Sequence, residues 1–288
     1  MEVFVSKKQE GGCIRLIKAA VLGSPISHSL SPLLHTIAYN ELGLESEYTR
    51  IDVKSGELGA FLESCGPLWS GFSLTMPLKE EVLDFSKNVT SLAAKIKSAN
   101  TLVQSSSQQW NATTTDVSGF THALAANGRV ASGDVLIIGG GATARAAVAA
   151  CDGVSTRITV MVRSHSRVQE ISNCAEFSDL DFIEWGSGNP FETCDLIIST
   201  TPEGASDSLV KIFPSNPPGI FFDVLYNPWP TLALKTWSSF GGQVVDGLDL
   251  LIHQAIDQVS IFSDQSLERR SISQLMRSHA LKTLNPST

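Results

Sequence analysis

Val135-Leu136-Ile137-Ile138-Gly139-Gly140-Gly141-Ala142-Thr143-Ala144-Arg145 is an apolar run that breaks into three glycines and resumes as a helix-forming segment. Strand, glycine turn and helix in that order give a GxGxxA pattern its meaning. Gly139 permits the tight turn, Gly141 lets the backbone approach a pyrophosphate, and Ala144 keeps the helix close to the sheet. Gly140, Ala142 and Thr143 complete the loop, and the helix N-terminus offers N–H donors and positive dipole to an anion. The next strand is expected over residues 158–162, after which an NAD site places an acid for the ribose 2′-hydroxyl. This chain has Arg163-Ser164-His165-Ser166-Arg167 there, two guanidinium groups and no acid. Guanidinium suits a 2′-phosphate, so NADP(H) is the expected cofactor.

Outward from this loop, strand and helix alternate. Upstream, the apolar spacing predicts strands over 19–23, 48–53, 71–75 and 102–104 and helices over 33–42, 57–62 and 116–126, the last stopped by Asn127-Gly128. Ser31 and Pro32 read as the N-cap and first position of the helix over 33–42. Downstream, helices are expected over 142–150 and, weakly, 168–171, with strands over 196–199 and 220–225. From Leu248 onward, Leu251, Ala255, Val259 and Phe262 form one stripe of a long amphipathic helix. Repeated strand–helix–strand units predict a parallel sheet covered on both faces. Composition places linkers near 128–133 and 243–247.

The chain has 288 residues, 42% hydrophobic and 17% charged, which is a globular composition and, at roughly 150 residues per domain, enough for two domains. The net charge is −8 with no basic run, which argues against nucleic acid or an anionic membrane as partner. Cys13, Cys65, Cys151, Cys174 and Cys194 are odd in number and never spaced as CxxC. They fit a reducing compartment better than a disulfide framework or a zinc knuckle, and no metal site is expected. The first eighteen residues carry charges throughout, so they do not read as a signal peptide, and no stretch of about twenty apolar residues suggests a transmembrane helix. A soluble cytoplasmic protein is expected, with residues before Lys18 as a poorly ordered tail.

The N-terminal half carries further patterned segments. Gly23-Ser-Pro25-Ile-Ser27-His28-Ser29-Leu-Ser31-Pro32-Leu-Leu-His35 is dense in hydroxyls at a helix start. Taken alone, Ser29 and Ser31 serve equally well as carboxylate ligands or as turn and cap residues. Gly71-Phe-Ser-Leu-Thr75-Met-Pro77-Leu-Lys79 places a lysine just past a strand stopped by proline. Ser98-Ala99-Asn100-Thr101 and Thr115-Asp116-Val-Ser-Gly119 follow. Later come Thr200-Thr201-Pro202-Glu203-Gly204, Tyr226-Asn227-Pro228-Trp229-Pro230-Thr231 and Gly247-Leu248-Asp249-Leu250-Leu251-Ile252-His253-Gln254. In this order, from about Val21 to Gln254, the segments resemble the shikimate dehydrogenase family.

The resemblance implies an α/β fold with two domains, an N-terminal α/β substrate domain and a Rossmann-type doubly wound parallel sheet for NADP. On this chain those are residues 1–127, completed by helices in 247–288, and residues 128–246. It implies reversible reduction of 3-dehydroshikimate to shikimate by NADPH, a step toward chorismate and the aromatic amino acids, in a monomer or homodimer. By the same carry-over Lys79 is the proton donor and Asp116 its partner carboxylate. Ser29 and Ser31, with Tyr226, bind the substrate carboxylate, and Thr75, Asn100 and Gln254 bind ring hydroxyls. Gly139, Gly140, Gly141, Ala142, Thr143 and Ala144 fall on the cofactor side, as do Arg163, Ser164, Arg167, Thr200, Thr201, Pro202 and Gly247.

Thr114 stands where the family has asparagine, Ala142 where it often has glycine, and Val162 where asparagine often precedes the arginine. Thr114 bears on substrate preference and keeps a quinate, quinate/shikimate or amino-analogue dehydrogenase as the alternative. Methylenetetrahydrofolate dehydrogenase shares the two-domain layout, but its motifs are absent. A catalytically silent ligand sensor would be expected to lose Lys79 or Asp116, and both are present.

Overall fold

Ile17, Ala19, Ala20, Val21 and Leu22 are all buried, as expected of a strand with neighbours on both sides. The computed structural model of the protein describes residues 16–285. The chain forms two compact units, Met1–Thr115 with Ile252–Thr288, and Asp116–Leu251. The first opens with β1 (Ile17–Gly23), α1 (Ser31–Glu41), β2 (Ser46–Asp52), α2 (Leu58–Ser64), β3 (Gly71–Leu74) and α3 (Leu78–Glu81). It continues with β4 (Asn88–Val89), α4 (Ser91–Lys95), β5 (Thr101–Gln104) and β6 (Trp110–Thr113). The second contains α5 (Asp116–Ala126), β7 (Asp134–Ile138), α6 (Ala142–Cys151), β8 (Arg157–Val162), α7 (Val168–Ser172), β9 (Asp179–Glu184), β10 (Leu196–Ser199), β11 (Ile220–Asp223), α8 (Leu232–Ser239) and β12 (Gln243–Val245). The boundary at Leu251 and Ile252 falls inside α9 (Gly247–Ser263), and α10 (Arg269–Leu284) follows in the first unit.

The sheet of the first unit runs β2-β1-β3-β5-β6-β4. β1 pairs parallel with β2 and β3, whereas β5 is antiparallel to both β3 and β6. The polar run 105–109 is the hairpin loop between β5 and β6, closed by Ser105 N–H on Gln109 C=O at 2.8 Å. Successive residues of a strand face opposite sides. Phe72 therefore meets Phe61, Trp69 and Trp110 on one face, while Ser73 meets Tyr48 and Gln258 on the other.

The second sheet is wholly parallel, in the order β12-β11-β10-β7-β8-β9. Counted from β7, this is 3-2-1-4-5-6 read from the other edge, the doubly wound dinucleotide-binding order. Phe222 of β11 meets Phe120 of α5, and Phe221 meets Trp237 of α8, so helices cover both faces. The Phe120 contact also explains why α5 belongs with the second unit.

Several expectations need correction. Leu30, not Ser31, is the N-cap of α1, with Leu34 N–H on its carbonyl at 3.1 Å. Ser31 and Pro32 lie within the first turn, where proline's missing N–H costs no helical bond. The linker expected near 243–247 is instead the edge strand β12 and the first residue of α9. The strand expected over 220–225 ends at Asp223, whose side chain accepts from Leu225 N–H at 3.2 Å. The long helix expected from Leu248 is present as α9, which ends before Asp264 at φ +57° and is followed by α10. The expected tail lies outside the described residues up to position 15, and Ile17 already belongs to β1. Among the described residues all four cysteines are free thiols, and no helix is long and apolar enough to cross a membrane.

Candidate active site

In the first unit the proposed substrate residues come from three strand ends and one helix. β1 ends at Gly23, where a Cβ would collide with the Thr75 methyl group and approach the Met76 carbonyl. The turn after β1 is thereby packed against the turn after β3, with Ser24 N–H on Met76 C=O at 3.1 Å. Beyond it, Ser29 and Ser31 are both buried, and Ser29 Oγ accepts from Ser31 N–H at 3.3 Å. Arg50 holds this turn by donating from Nε and one Nη to Ser29 C=O, at 2.8 and 2.6 Å. Thr75 is fixed through its N–H on Leu22 C=O at 2.9 Å. Lys79 is half-buried in the short α3, and its carbonyl accepts from Ala99 N–H at 2.8 Å.

Asn100 is the centre of this arrangement. Its carbonyl accepts from Leu74 N–H at 2.8 Å and from Gln258 Nε2 at 2.9 Å. Its Oδ1 accepts from Thr115 N–H and from the Thr101 hydroxyl, each at 2.8 Å. Its Nδ2 donates to Thr115 Oγ1 and to Gln254 Oε1, each at 2.9 Å. The structure thus joins Asn100 and Gln254 directly, gives a place to Thr101 and Thr115, which stand in the patterned segments without an assigned role, and adds Gln258, which motif reading missed. A polar residue on the buried stripe of α9 was the available signal for Gln258, because glutamine is rarely buried without partners.

In the second unit Gly139 has φ +119°, which favours glycine, and a Cβ there would lie 2.5 Å from Thr200 Oγ1. Thr200 donates from both its N–H and its hydroxyl to Ile138 C=O, at 2.9 and 2.8 Å. The glycine loop and the Thr200-Thr201-Pro202 turn therefore sit side by side beyond the carboxyl ends of β7 and β10, where the strand order reverses. Doubly wound sheets bind dinucleotides at that point. Gly141 is the N-cap of α6, and a Cβ there would meet nothing within 4 Å. The first helical bond is Arg145 N–H on Gly141 C=O, so the amides of Ala142, Thr143 and Ala144 precede the ladder. Open space in front of early helix amides fits a pyrophosphate.

After β8, Arg163, Ser164 and Arg167 are all exposed. The Arg163 guanidinium lies over the Trp185 ring, 5.1 Å from its centroid, a stacking partner no motif announced. Ser164 accepts from Ser166 N–H at 3.3 Å. Gly247 admits no side chain, because a Cβ would collide with the Val224 and Leu225 backbone. Tyr226 is half-buried in the loop after β11, and Asp116, buried, is the first residue of α5.

A model of the shikimate dehydrogenase substrate binding domain matches residues 21–102. The NADP(+) shikimate dehydrogenase of Prochlorococcus marinus strain AS9601 is 31% identical over 261 residues, covering 85% of this chain and 91% of its own length. The chain belongs to the shikimate dehydrogenase family. The crystal structure of Mycobacterium tuberculosis shikimate dehydrogenase superposes with a TM-score of 0.83 at 34% identity, over 91% of this chain and 99% of that one. The shikimate 5-dehydrogenase of Thermus thermophilus, solved with NADP(H) and shikimate, gives 0.79 at 26% identity, over 91% and 99%.

Within this family member, the loop that carries Tyr226 is clipped at its base. Thr231 donates its hydroxyl to Asp223 Oδ2 at 2.8 Å, and Trp229 Nε1 donates to Asp246 at 2.9 Å. Burial pushes the Asp223 carboxyl up to about 6, with Asp207 adding to the rise and the Thr231, Leu225 and Ser199 donors opposing it. A carboxyl whose folded value is raised contributes stability below its unfolded value, and that contribution is lost as pH rises through the folded value. The melting temperature of the wild type minus that of Asp223→Asn is therefore expected to fall between about pH 4 and pH 7. Parallel melting curves for the two proteins across that range would contradict the assignment.

Proposed function

We propose that this chain is an NADP-dependent shikimate dehydrogenase, interconverting 3-dehydroshikimate and shikimate, as its motifs and its family imply. The observation that carries the reading is the Asn100–Gln254 hydrogen bond, which joins residues 154 positions apart in the unit that also holds Ser29, Ser31, Thr75 and Lys79. Paired side-chain amides with fixed donors and acceptors suit a ligand rich in hydroxyls, because an analogue lacking one leaves a buried group unpaired. Ser29 and Ser31 are assigned to the substrate carboxylate together with Tyr226. Thr75, Asn100 and Gln254 are assigned to ring hydroxyls.

NADPH supplies the hydride for the ketone carbon. Lys79 then delivers the proton that the carbonyl oxygen needs to become a hydroxyl, and takes it back in the reverse direction. Asp116 is the carboxylate assigned to work with it. Residues 139–144 with Thr200, Thr201, Pro202 and Gly247 are assigned to the pyrophosphate and nicotinamide side, and Arg163, Ser164 and Arg167 to the 2′-phosphate. The Trp185 ring beneath it restrains the planar Arg163 guanidinium, which favours fork-like contact with phosphate oxygens. The proposed setting is the cytoplasm, in keeping with the free thiols, as a monomer or homodimer.

Absorbance at the reduced-nicotinamide band, with shikimate or quinate and NADP or NAD, tests the reading. Fastest turnover with shikimate and NADP is expected. Faster turnover with quinate would reassign the substrate and direct attention to Thr114, and no turnover in any pairing by protein that binds NADP would leave a silent sensor. Lys79→Ala is expected to lower kcat by about 10²–10⁴-fold while leaving the NADP Kd unchanged. An unaltered kcat would remove Lys79 from the proton-transfer role.

A further inference from the structure

We propose that Gln258, acting through Thr101, is a positioning residue that fixes the orientation of the Asn100 amide and, through it, which end of the Gln254 amide faces the substrate. The proposal rests on the functional reading above only for the identity of that substrate. Gln258 is buried, and both ends of its amide are used. Its Oε1 accepts from Ser73 Oγ at 2.7 Å and from His35 Nε2 at 3.3 Å. Its Nε2 donates to Asn100 C=O at 2.9 Å and to Thr101 Oγ1 at 3.0 Å.

Side-chain amides look alike at both ends, so their orientation must come from groups with no choice. A backbone carbonyl only accepts, so Asn100 C=O dictates that Gln258 points Nε2 toward it. Thr101 Oγ1 receives one of those protons and passes its own to Asn100 Oδ1. A backbone N–H only donates, and Thr115 N–H on Asn100 Oδ1 dictates the same orientation from the other side. Asn100 therefore turns Nδ2 toward Gln254, which must answer with Oε1. With Oε1 committed, the end of Gln254 that serves a ligand is the Nε2 donor. The chain Gln258–Thr101–Asn100–Gln254 has one direction, and it ends on two residues assigned to ring hydroxyls.

The same residue ties the helices that carry the ligands. Gln254 and Gln258 are one turn apart on α9, and Ser31 and His35 are one turn apart on α1. The His35–Gln258 bond locks the two helices one turn behind Ser31 and Gln254. Because Gln258 Oε1 accepts, His35 carries its proton on Nε2 and takes the Tyr39 hydroxyl on Nδ1 at 3.3 Å. Tyr48 stacks on the imidazole with centroids 3.9 Å apart and donates to Ser73 Oγ at 2.6 Å, which leaves the Ser73 proton for Gln258. Burial holds His35 down to about 3, so the ring stays neutral and this pattern does not change at physiological pH.

Thr101→Val removes the relay hydroxyl and leaves Gln258 in place, and Thr101→Ser restores it. The test compares these variants in the full-length protein by two readouts, the Asn100 side-chain amide resonances without ligand and the Kd for shikimate. In Thr101→Val the resonances are expected to shift and shikimate to bind about tenfold more weakly, with the NADP Kd unchanged and Thr101→Ser close to wild type. Wild-type resonances in Thr101→Val, or equal losses in the valine and serine variants, would overturn the relay and leave Thr101 a packing residue. If the wild type failed to bind shikimate, the functional reading would fall, while the resonances would still decide the relay.

Discussion

Asn100 uses both lone-pair directions of its carbonyl, its Oδ1 and both protons of its Nδ2 in bonds to Leu74, Gln258, Thr115, Thr101 and Gln254. A buried amide left half-satisfied would cost more than an apolar residue in its place, so these partners must all be present at once. They come from the end of β3, the start of β5, the residue before α5 and the helix α9. Three consequences follow from that one residue. β3 ends where it does, so the turn bearing Thr75 and Lys79 begins at a fixed point. Thr115, where the first unit gives way to Asp116, is held by its own N–H. α9 is registered against the sheet so that Gln254 and Gln258 both face Asn100.

The second unit solves a different problem with backbone rather than side chains. Two of its glycines mark places where another part of the chain comes too close for a Cβ, with Thr200 against Gly139 and the Val224–Leu225 backbone against Gly247. Gly141 differs from these two, since nothing lies within 4 Å of the side it leaves bare. That bare side is at the head of α6, where early amides and the helix dipole attract an anion. After β8 the chain has arginine rather than an acid, and a guanidinium suits a 2′-phosphate.

The parts of this arrangement that could be read from sequence are those in which a residue type has only one physical use. The glycine loop, the proline after β3 and the apolar runs of β7, β8 and β10 belong here, and β7 and β10 are buried strands that tolerate no charge in their interior. What escaped was written in residues with many uses. β9 alternates aspartate and glutamate with apolar residues because it is an edge, and β12 exposes Gln243 and Val244 for the same reason. Ser31 looked like a cap by type, yet the cap position is set by where the chain first turns, at Leu30. Gln258 and Trp185 act on residues far away in sequence, and no local pattern records such a partner.

The most direct test of the claim that Asn100 organises the substrate side is calorimetric titration of shikimate into the Asn100→Asp protein. The substitution keeps shape and the acceptor that Thr115 N–H needs, but replaces the donor facing Gln254 Oε1 with a second acceptor. A folded protein that binds NADP normally and has lost measurable shikimate binding is the predicted result. Shikimate binding equal to that of the wild type would show that the donor pattern at Asn100 does not govern recognition.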